Sequence, residues 1–363
     1  MSQARRHLGS FDGVLFCAAL TLPLVGLVVI YSATTGTPSE GAFQRQVFWL
    51  GLGLIGMLFA LLIDYHTLAE FSPIFYGGSL VFLLMTLVFG RVVNASKSWL
   101  GFGGVQFQPS ELAKVATILV VAAYLGREQV HGLGFARFAG VMGLVGLPVL
   151  LIMQQPDLGT AATFTPLLAG SVFLGGLRVR TILILVLIAA LALPAVWGHL
   201  KPYQKERVKI FIEPTRDPKG AGYQLIQSLI AVGSGGVVGK GFLSGTQGQL
   251  QFLPEQHTDF ILAVLAEERG FIGSALVLGL YFLVLYRCIA TARAARDRLG
   301  AFLAMGVACV LGGQALINIG VVLGVLPTTG VPLPLMSYGG SCLVSTLLGI
   351  GLVLNVWMRR LVN

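Results

Sequence analysis

GVLFCAALTLPLVGLVVIY, residues 13–31, contains no charged side chain. Its length matches the roughly 20 apolar residues a helix needs to cross a hydrocarbon core of about 30 Å. Nine more runs of this kind follow at 46–63, 73–90, 109–125, 138–153, 160–176, 181–198, 270–286, 300–325 and 341–357. Together they predict an all-α integral membrane protein of about ten transmembrane helices. It reads as one polytopic domain over residues 1–363, with a large extracytoplasmic loop near 199–269 carrying short interfacial helices. Composition agrees: 55% of the chain is hydrophobic and 11% charged, against about 25% charged in soluble domains. So little charge cannot cover a surface in water, so lipid must cover part of it. Arg5 and Arg6 before the first run resemble a secretory signal, but a run of full spanning length with nine more behind it reads as an uncleaved first helix.

The net charge of +9 suggests nucleic acid only until the arginines are placed. Arg5 and Arg6 precede the first run, Arg127 and Arg137 follow the fourth, and Arg178 and Arg180 follow the sixth. Arg287, Arg293, Arg296 and Arg298 follow the eighth, and Arg359 and Arg360 follow the tenth. All these links share one side if both termini are cytoplasmic, as the positive-inside rule requires. The opposite short links carry little more than Arg45, Arg91 and Lys97. The basic excess is mostly topology, and no nucleic-acid partner is expected. The four cysteines, Cys17, Cys288, Cys309 and Cys342, have no metal-type spacing and read as small apolar filler.

Polar residues instead concentrate on the outer side. From Asp259 to Arg287 would be about 42 Å of helix at 1.5 Å per residue, too long for one straight span. Residues 255–268 therefore read as a separate interfacial or re-entrant helix ending near Gly270, with Glu255 and Asp259 on one face at the lipid boundary. Gln108-Pro109-Ser110-Glu111 opens the fourth span, with proline in the first turn. Glu111 and Lys114, three apart, can pair there, and an intramembrane ionisable pair is a functional candidate. Gln154-Gln155-Pro156-Asp157 opens the sixth span, where Asp157 can cap the helix, bind a ligand, or both. Pro327 to Ser341 is rich in proline and glycine, and such irregular backbone at membrane depth must be buried in protein or line a polar cavity.

These strings closely resemble the SEDS family, which includes RodA, FtsW and SpoVE. The matching strings are QPSELAK at 108–114, QPDLGT at 155–160, YQLIQSLIAVGSGGVVGKGF at 223–242, LPEQHTDFILAVLAEERGFIG at 253–273 and NIGVVLGVLPTTGVPLPLMSYGGS at 318–341. They occur in the family's order over nearly the whole chain. A short segment before the first run and no long C-terminal extension make it look more like RodA than FtsW.

The resemblance implies a peptidoglycan glycosyltransferase that polymerises lipid II outside the bacterial cytoplasmic membrane, releases undecaprenyl diphosphate and partners a class B penicillin-binding protein. Asp259 matches the family's essential aspartate. Its role is general base for the acceptor hydroxyl or ligand to a divalent cation, Mg or Mn; no organic cofactor is expected. Glu255, His257 and Thr258 would shape its surroundings, and His257 has no second His or Cys nearby to make a zinc site. Lys97, Lys114 and Lys240 are candidate diphosphate partners, with Lys114 the best placed. Trp99 would stack on sugar or anchor the interface. Asp157, Glu111, Gln227, Ser337 and Ser341 complete the candidate substrate contacts. The competing functions are a lipid II flippase, which would bind near the membrane midplane, and a non-catalytic scaffold for a transpeptidase.

Overall fold

The computed structural model describes residues 11–360 other than 94–95, 103–104, 127–133, 177–179, most of 181–201, 218–219, 247–251 and 254. The apolar run 181–198, Arg5, Arg6, Arg127, Arg178, Lys201 and Lys219 thus lie largely or wholly outside the described residues. Eight described helices are long and apolar enough to cross a membrane: α1 Gly13–Thr34, α2 Gly41–Leu62, α4 Ser72–Phe89, α5 Pro109–Gly126, α6 Phe135–Gln154, α11 Ile261–Ala294, α12 Arg298–Val322 and α13 Gly340–Arg359. A short α3, Tyr65–Glu70, links α2 to α4. The expected span at 160–176 is instead two pieces, α7 Leu158–Ala162 and α8 Thr165–Leu174. Pro166, which has no N–H to donate to the preceding turn, sits in the first turn of α8, where a new helix accepts it.

Three helices form the interior. The spanning window of α5 is 83% buried and those of α12 and α13 are 72% buried, against 22% for α6 and 28% for α2 and α4. The outer helices turn apolar side chains such as Phe48, Ile55, Phe75 and Val88 outward, as lipid contact requires. The inner helices carry the polar groups that lipid could not tolerate: Glu111, Lys114, Gln314, Asn318, Ser345 and Asn355 are all buried.

At one end of the bundle the acidic caps meet the basic helix ends. The Arg287 guanidinium donates to Asp12 Oδ2 at 2.7 and 2.9 Å, while Asp12 caps α1 by accepting from Leu15 N. Arg359 donates to Asp64 at 2.9 Å, and His66 lies between Asp64 and Asp297 at 3.0 and 2.6 Å. The links that the arginine pattern assigns to one side therefore meet at one end.

The long link carries α9 Pro202–Ile212, a 3-10 turn Pro214–Arg216 and α10 Ala221–Ser234. The break expected near Gly270 is present: its φ of 63° and ψ of −159° interrupt α11. Residues 261–268, ahead of the break, are all buried. They form a re-entrant arm inside the protein rather than a helix at the lipid boundary. Residues 255–260 are turns, so Glu255 and Asp259 do not share a helical face as expected. Thr258 Oγ1 donates to the Glu255 carbonyl at 3.2 Å, a side-chain competitor for the backbone bond a helix would use.

The backbone groups freed at Gly270 are satisfied by the glycine-rich loop after α10. Phe271 N and Ile272 N donate to Gly236 O and Val237 O, while Lys240 N and Gly241 N donate to Glu267 O and Glu268 O. Glu267 also accepts from Lys240 Nζ at 2.6 Å and from Thr246 N and Oγ1 at 2.9 Å. A Cβ at Gly270 would collide with Gly239 N and, at 2.6 Å, with Val237 O. Gly270→Ala should therefore destabilise the protein by at least the 1–3 kcal/mol or so of a strained backbone position. A thermal-shift measurement showing wild-type stability would refute this account of the loop.

A three-stranded antiparallel sheet was not anticipated from the apolar runs. It comprises β1 Arg91–Val93, β2 Ser96–Phe102 and β3 Val105–Phe107, in the order β1-β2-β3. Its anchor is Gln155, whose carbonyl accepts from Ser96 Oγ and Lys97 N while its side chain donates to Leu83 O.

Candidate active site

Opposite the end that holds Asp12, Asp64 and Asp297, the chain leaves a cavity of about 710 Å³. Its walls are helix ends and links: the first turns of α2, the sheet, the starts of α5 and α7, the turn before α11 and the segment before α13. This is where the sequence concentrated its polar strings.

Six of the expected site residues line it: Trp99, Asp157, Glu255, Thr258, Asp259 and Ser341. Asn318 of α12 fixes Asp259 from behind, its Nδ2 donating at 2.8 Å to both Asp259 O and Val331 O. The turn is braced on its other side where Tyr338 N donates to His257 O at 2.9 Å and the two rings lie 5.4 Å apart. Thr258 Oγ1 donates to Glu255 Oε2 at 3.0 Å, which orients that carboxylate.

Asp157 does both jobs its position allows. It caps α7, its Oδ1 accepting from Thr160 N at 3.0 Å, and it lines the cavity. Gln108 Nε2 donates to Asp157 Oδ2 at 3.1 Å and Gln108 N donates to Ser341 Oγ at 3.0 Å, which ties three strings into one wall. Burial pushes the Asp157 carboxyl above its usual range, against the two Thr160 hydrogen bonds that favour its charged form.

The other expected residues lie away from the cavity wall. Lys97 Nζ donates to Leu87 O and Val88 O at 2.8 and 2.9 Å, capping the last turn of α4. Lys240 is held by Glu267, as described. Lys114 is 3% exposed and its ammonium lies 2.8 Å from Glu111, the expected pair. It also donates to Gln314 Oε1 at 2.7 Å. None of these three lysines lines the cavity, so the expectation that they meet the diphosphate directly is not met by the geometry. Ser337 Oγ is used internally, accepting from Leu333 N at 2.9 Å, and Gln227 sits on α10 away from the cavity. His257 lies behind the wall, where burial holds its pKa below the ordinary value, against the pull of Glu255. It is neutral near pH 7 and offers no charge to a phosphate.

Residues missed in the sequence complete the wall: Gln44, Arg45, Phe48 and Trp49 of α2, Gln106 of β3, and Tyr338. Gln46, on the same helix, donates to Ser337 O at 3.0 Å and accepts from Gly339 N, pinning the 337–339 segment to α2. A Cβ at Gly340 would collide with the Trp49 ring, so the indole lies directly on the start of α13. Only Tyr338 lay in a quoted string; Phe48 and Trp49 sit in the apolar run 46–63, and Gln44 and Arg45 just ahead of it.

The carboxylates on the chamber wall are Asp259, Glu255 and Asp157. Among the described residues no group of three His, Cys, Asp or Glu is placed to hold an ion. The donor set fits a cation of the Mg type, which takes one or two carboxylates and completes its shell with substrate phosphate and water.

Known proteins share this arrangement end to end. The chain is 39% identical over 354 residues to peptidoglycan glycosyltransferase MrdB of Escherichia coli (strain K12), covering 96% of this chain and 94% of that protein. It is 38% identical over 359 residues to stage V sporulation protein E of Bacillus subtilis (strain 168), covering 95% and 96%. A chain solved within a peptidoglycan synthase complex that coordinates polymerization and crosslinking superposes with a TM-score of 0.84 at 38% identity, covering 97% of this chain and 99% of that one. The FtsW/RodA/SpoVE family, described as cell cycle protein, matches residues 13–361. A match that takes in all eight spanning helices and every wall of the cavity makes this chain a member of that family, the SEDS proteins.

Proposed function

We propose that this chain is a peptidoglycan glycosyltransferase that polymerises lipid II at the outer face of the bacterial cytoplasmic membrane, serving cell elongation and shape. The observation that carries the reading is the position of Asp259. It lies on the wall of a chamber at one end of the bundle, beside Glu255 and Thr258, with its backbone fixed by Asn318. A transporter would place its site near the midplane, whereas this chamber is built from helix ends.

In the reaction, the acceptor sugar's 4-hydroxyl oxygen forms a bond to the donor's anomeric carbon. The bond from that carbon to the diphosphate oxygen breaks, and undecaprenyl diphosphate leaves with the electron pair. Asp259 takes the hydroxyl proton onto a carboxylate oxygen as general base. In its alternative role, Asp259 with Glu255 would hold a Mg or Mn ion that supplies charge balance for the diphosphate. The test is purified protein given labelled lipid II, with and without a class B penicillin-binding protein. Glycan chains are expected, and a folded protein that makes none in either condition refutes the reading. A relative solved in a synthase complex supports a transpeptidase partner for this chain as well.

Sidedness follows from the arginines. Both termini lie in the cytoplasm, and α9, α10 and the chamber face outward. Glu206→Cys on the exposed side of α9, with the native cysteines replaced, should react with a membrane-impermeant maleimide added to intact spheroplasts. Labelling only after access to the cytoplasmic side would invert the topology.

A further inference from the structure

The leaving diphosphate needs a cation on the chamber wall, yet the wall carries three carboxylates: Asp157, Glu255 and Asp259. The three candidate lysines, Lys97, Lys114 and Lys240, are committed elsewhere, to α4 carbonyls, to Glu111 and to Glu267. Among the described residues that line the chamber, Arg45 is the single lysine or arginine. It is exposed, and among the described residues no carboxylate pairs with it. Its side chain runs back along α2, so that a Cβ at Gly41 would lie 3.8 Å from its terminal nitrogen. An arginine on the outer side also runs against the positive-inside bias, so it calls for a local reason.

We propose that Arg45 and Phe48 form a clamp for the polyprenyl diphosphate of the substrate, Arg45 gripping the diphosphate and Phe48 the first isoprene units. The inference deepens the polymerase reading and rests on it for the identity of the substrate. Residues three apart on a helix share a face, so one turn of α2 presents both groups. Phe48 lines the chamber and, 62% exposed, heads the exposed apolar stripe of Leu52, Ile55 and Phe59 along α2, its ring edge-on to Trp49 with centroids 5.7 Å apart. The same turn thus reaches the polar chamber and the lipid, the two environments that a prenyl diphosphate must occupy together. A guanidinium fork meets phosphate oxygens with two parallel N–H donors, which an ammonium cannot reproduce.

Binding of farnesyl diphosphate, farnesol and inorganic diphosphate to the purified full-length protein in nanodiscs tests this, with EDTA present so that no divalent cation bridges the phosphates. Wild type should prefer farnesyl diphosphate to farnesol. Arg45→Ala should weaken farnesyl diphosphate by about 10- to 100-fold, the scale of one hydrogen bond to a charged group, with an unchanged melting temperature. Arg45→Lys should fall between them. Phe48→Ala should weaken farnesyl diphosphate and leave inorganic diphosphate unchanged. Equal affinity for farnesyl diphosphate in wild type and Arg45→Ala overturns the clamp, even if the protein polymerises lipid II. A wild type that makes no glycan, yet whose diphosphate affinity depends on Arg45, upholds the clamp and overturns the polymerase.

Discussion

Asp259→Asn should abolish detectable lipid II polymerisation while leaving expression, membrane insertion and thermal stability at wild-type levels. The amide is nearly isosteric and keeps the backbone bond from Asn318 to the residue 259 carbonyl. What it loses is the ability to accept a proton or to hold a cation. General-base help contributes about 10²–10⁴ in rate, equivalent to about 3–5 kcal/mol of barrier, and loss of a metal ligand would add to that. The Km for lipid II should change little if Asp259 acts only in the transition state. Glu255→Gln should cost less, because Asp259 remains to take the proton. Near-normal polymerisation by well-folded Asp259→Asn would remove this residue from the chemistry, and with it the main reason for preferring an enzyme to a transporter.

How far these features could be read from sequence depended on whether a residue's environment is local. Eight of the ten expected spans and the break at Gly270 follow from chain length against membrane thickness, and these are present among the described residues. The Glu111–Lys114 pair is a matter of helical spacing, and it formed. The direct role expected of Lys114 did not, because its neighbours come from elsewhere: Gln314 from α12 and Ser345, the partner of Glu111, from α13. Lys97 is engaged away from the chamber wall. Its carbonyl partners belong to the end of α4, which only the sheet brings within reach. The sheet itself had a local signal in Gly103-Gly104, a common hairpin pair, but a search for spans passes over segments this short. Arg45 and Trp49 give no local sign of function, since their chamber is assembled from segments up to some 300 residues apart.

Removing Lys114 tests how the buried interior supports that chamber. Both members of the Glu111–Lys114 pair are 3% exposed, and breaking a buried pair by deleting one partner costs about 3–5 kcal/mol. Glu111 would keep the hydrogen bond from Ser345 Oγ at 2.9 Å, but that neutral donor does not replace an ammonium. A small cavity of about 30 Å³ adjoins Lys114, lined also by Gln314 and Ser345. It is large enough for water, and the space vacated in Lys114→Ala would enlarge it. Hydration of Glu111 by that route favours the lower end of the range. The larger effect should fall on activity. Gln314 accepts from Lys114 with Oε1 and donates from Nε2 to Pro332 O at 3.1 Å, and Pro332 lines the chamber. Without the ammonium the Gln314 amide is free to turn over, and Pro332 O loses its donor, although Val331 and Leu333 keep their hydrogen bonds. Lys114→Ala should therefore melt earlier and lose most polymerisation. Adding Glu111→Gln should recover stability, because no uncompensated charge remains, but not activity, because Gln314 still lacks its donor. Recovery of both would reduce the pair to a matter of charge balance, and a Lys114→Ala protein with wild-type melting and rate would show that the chamber stands without it.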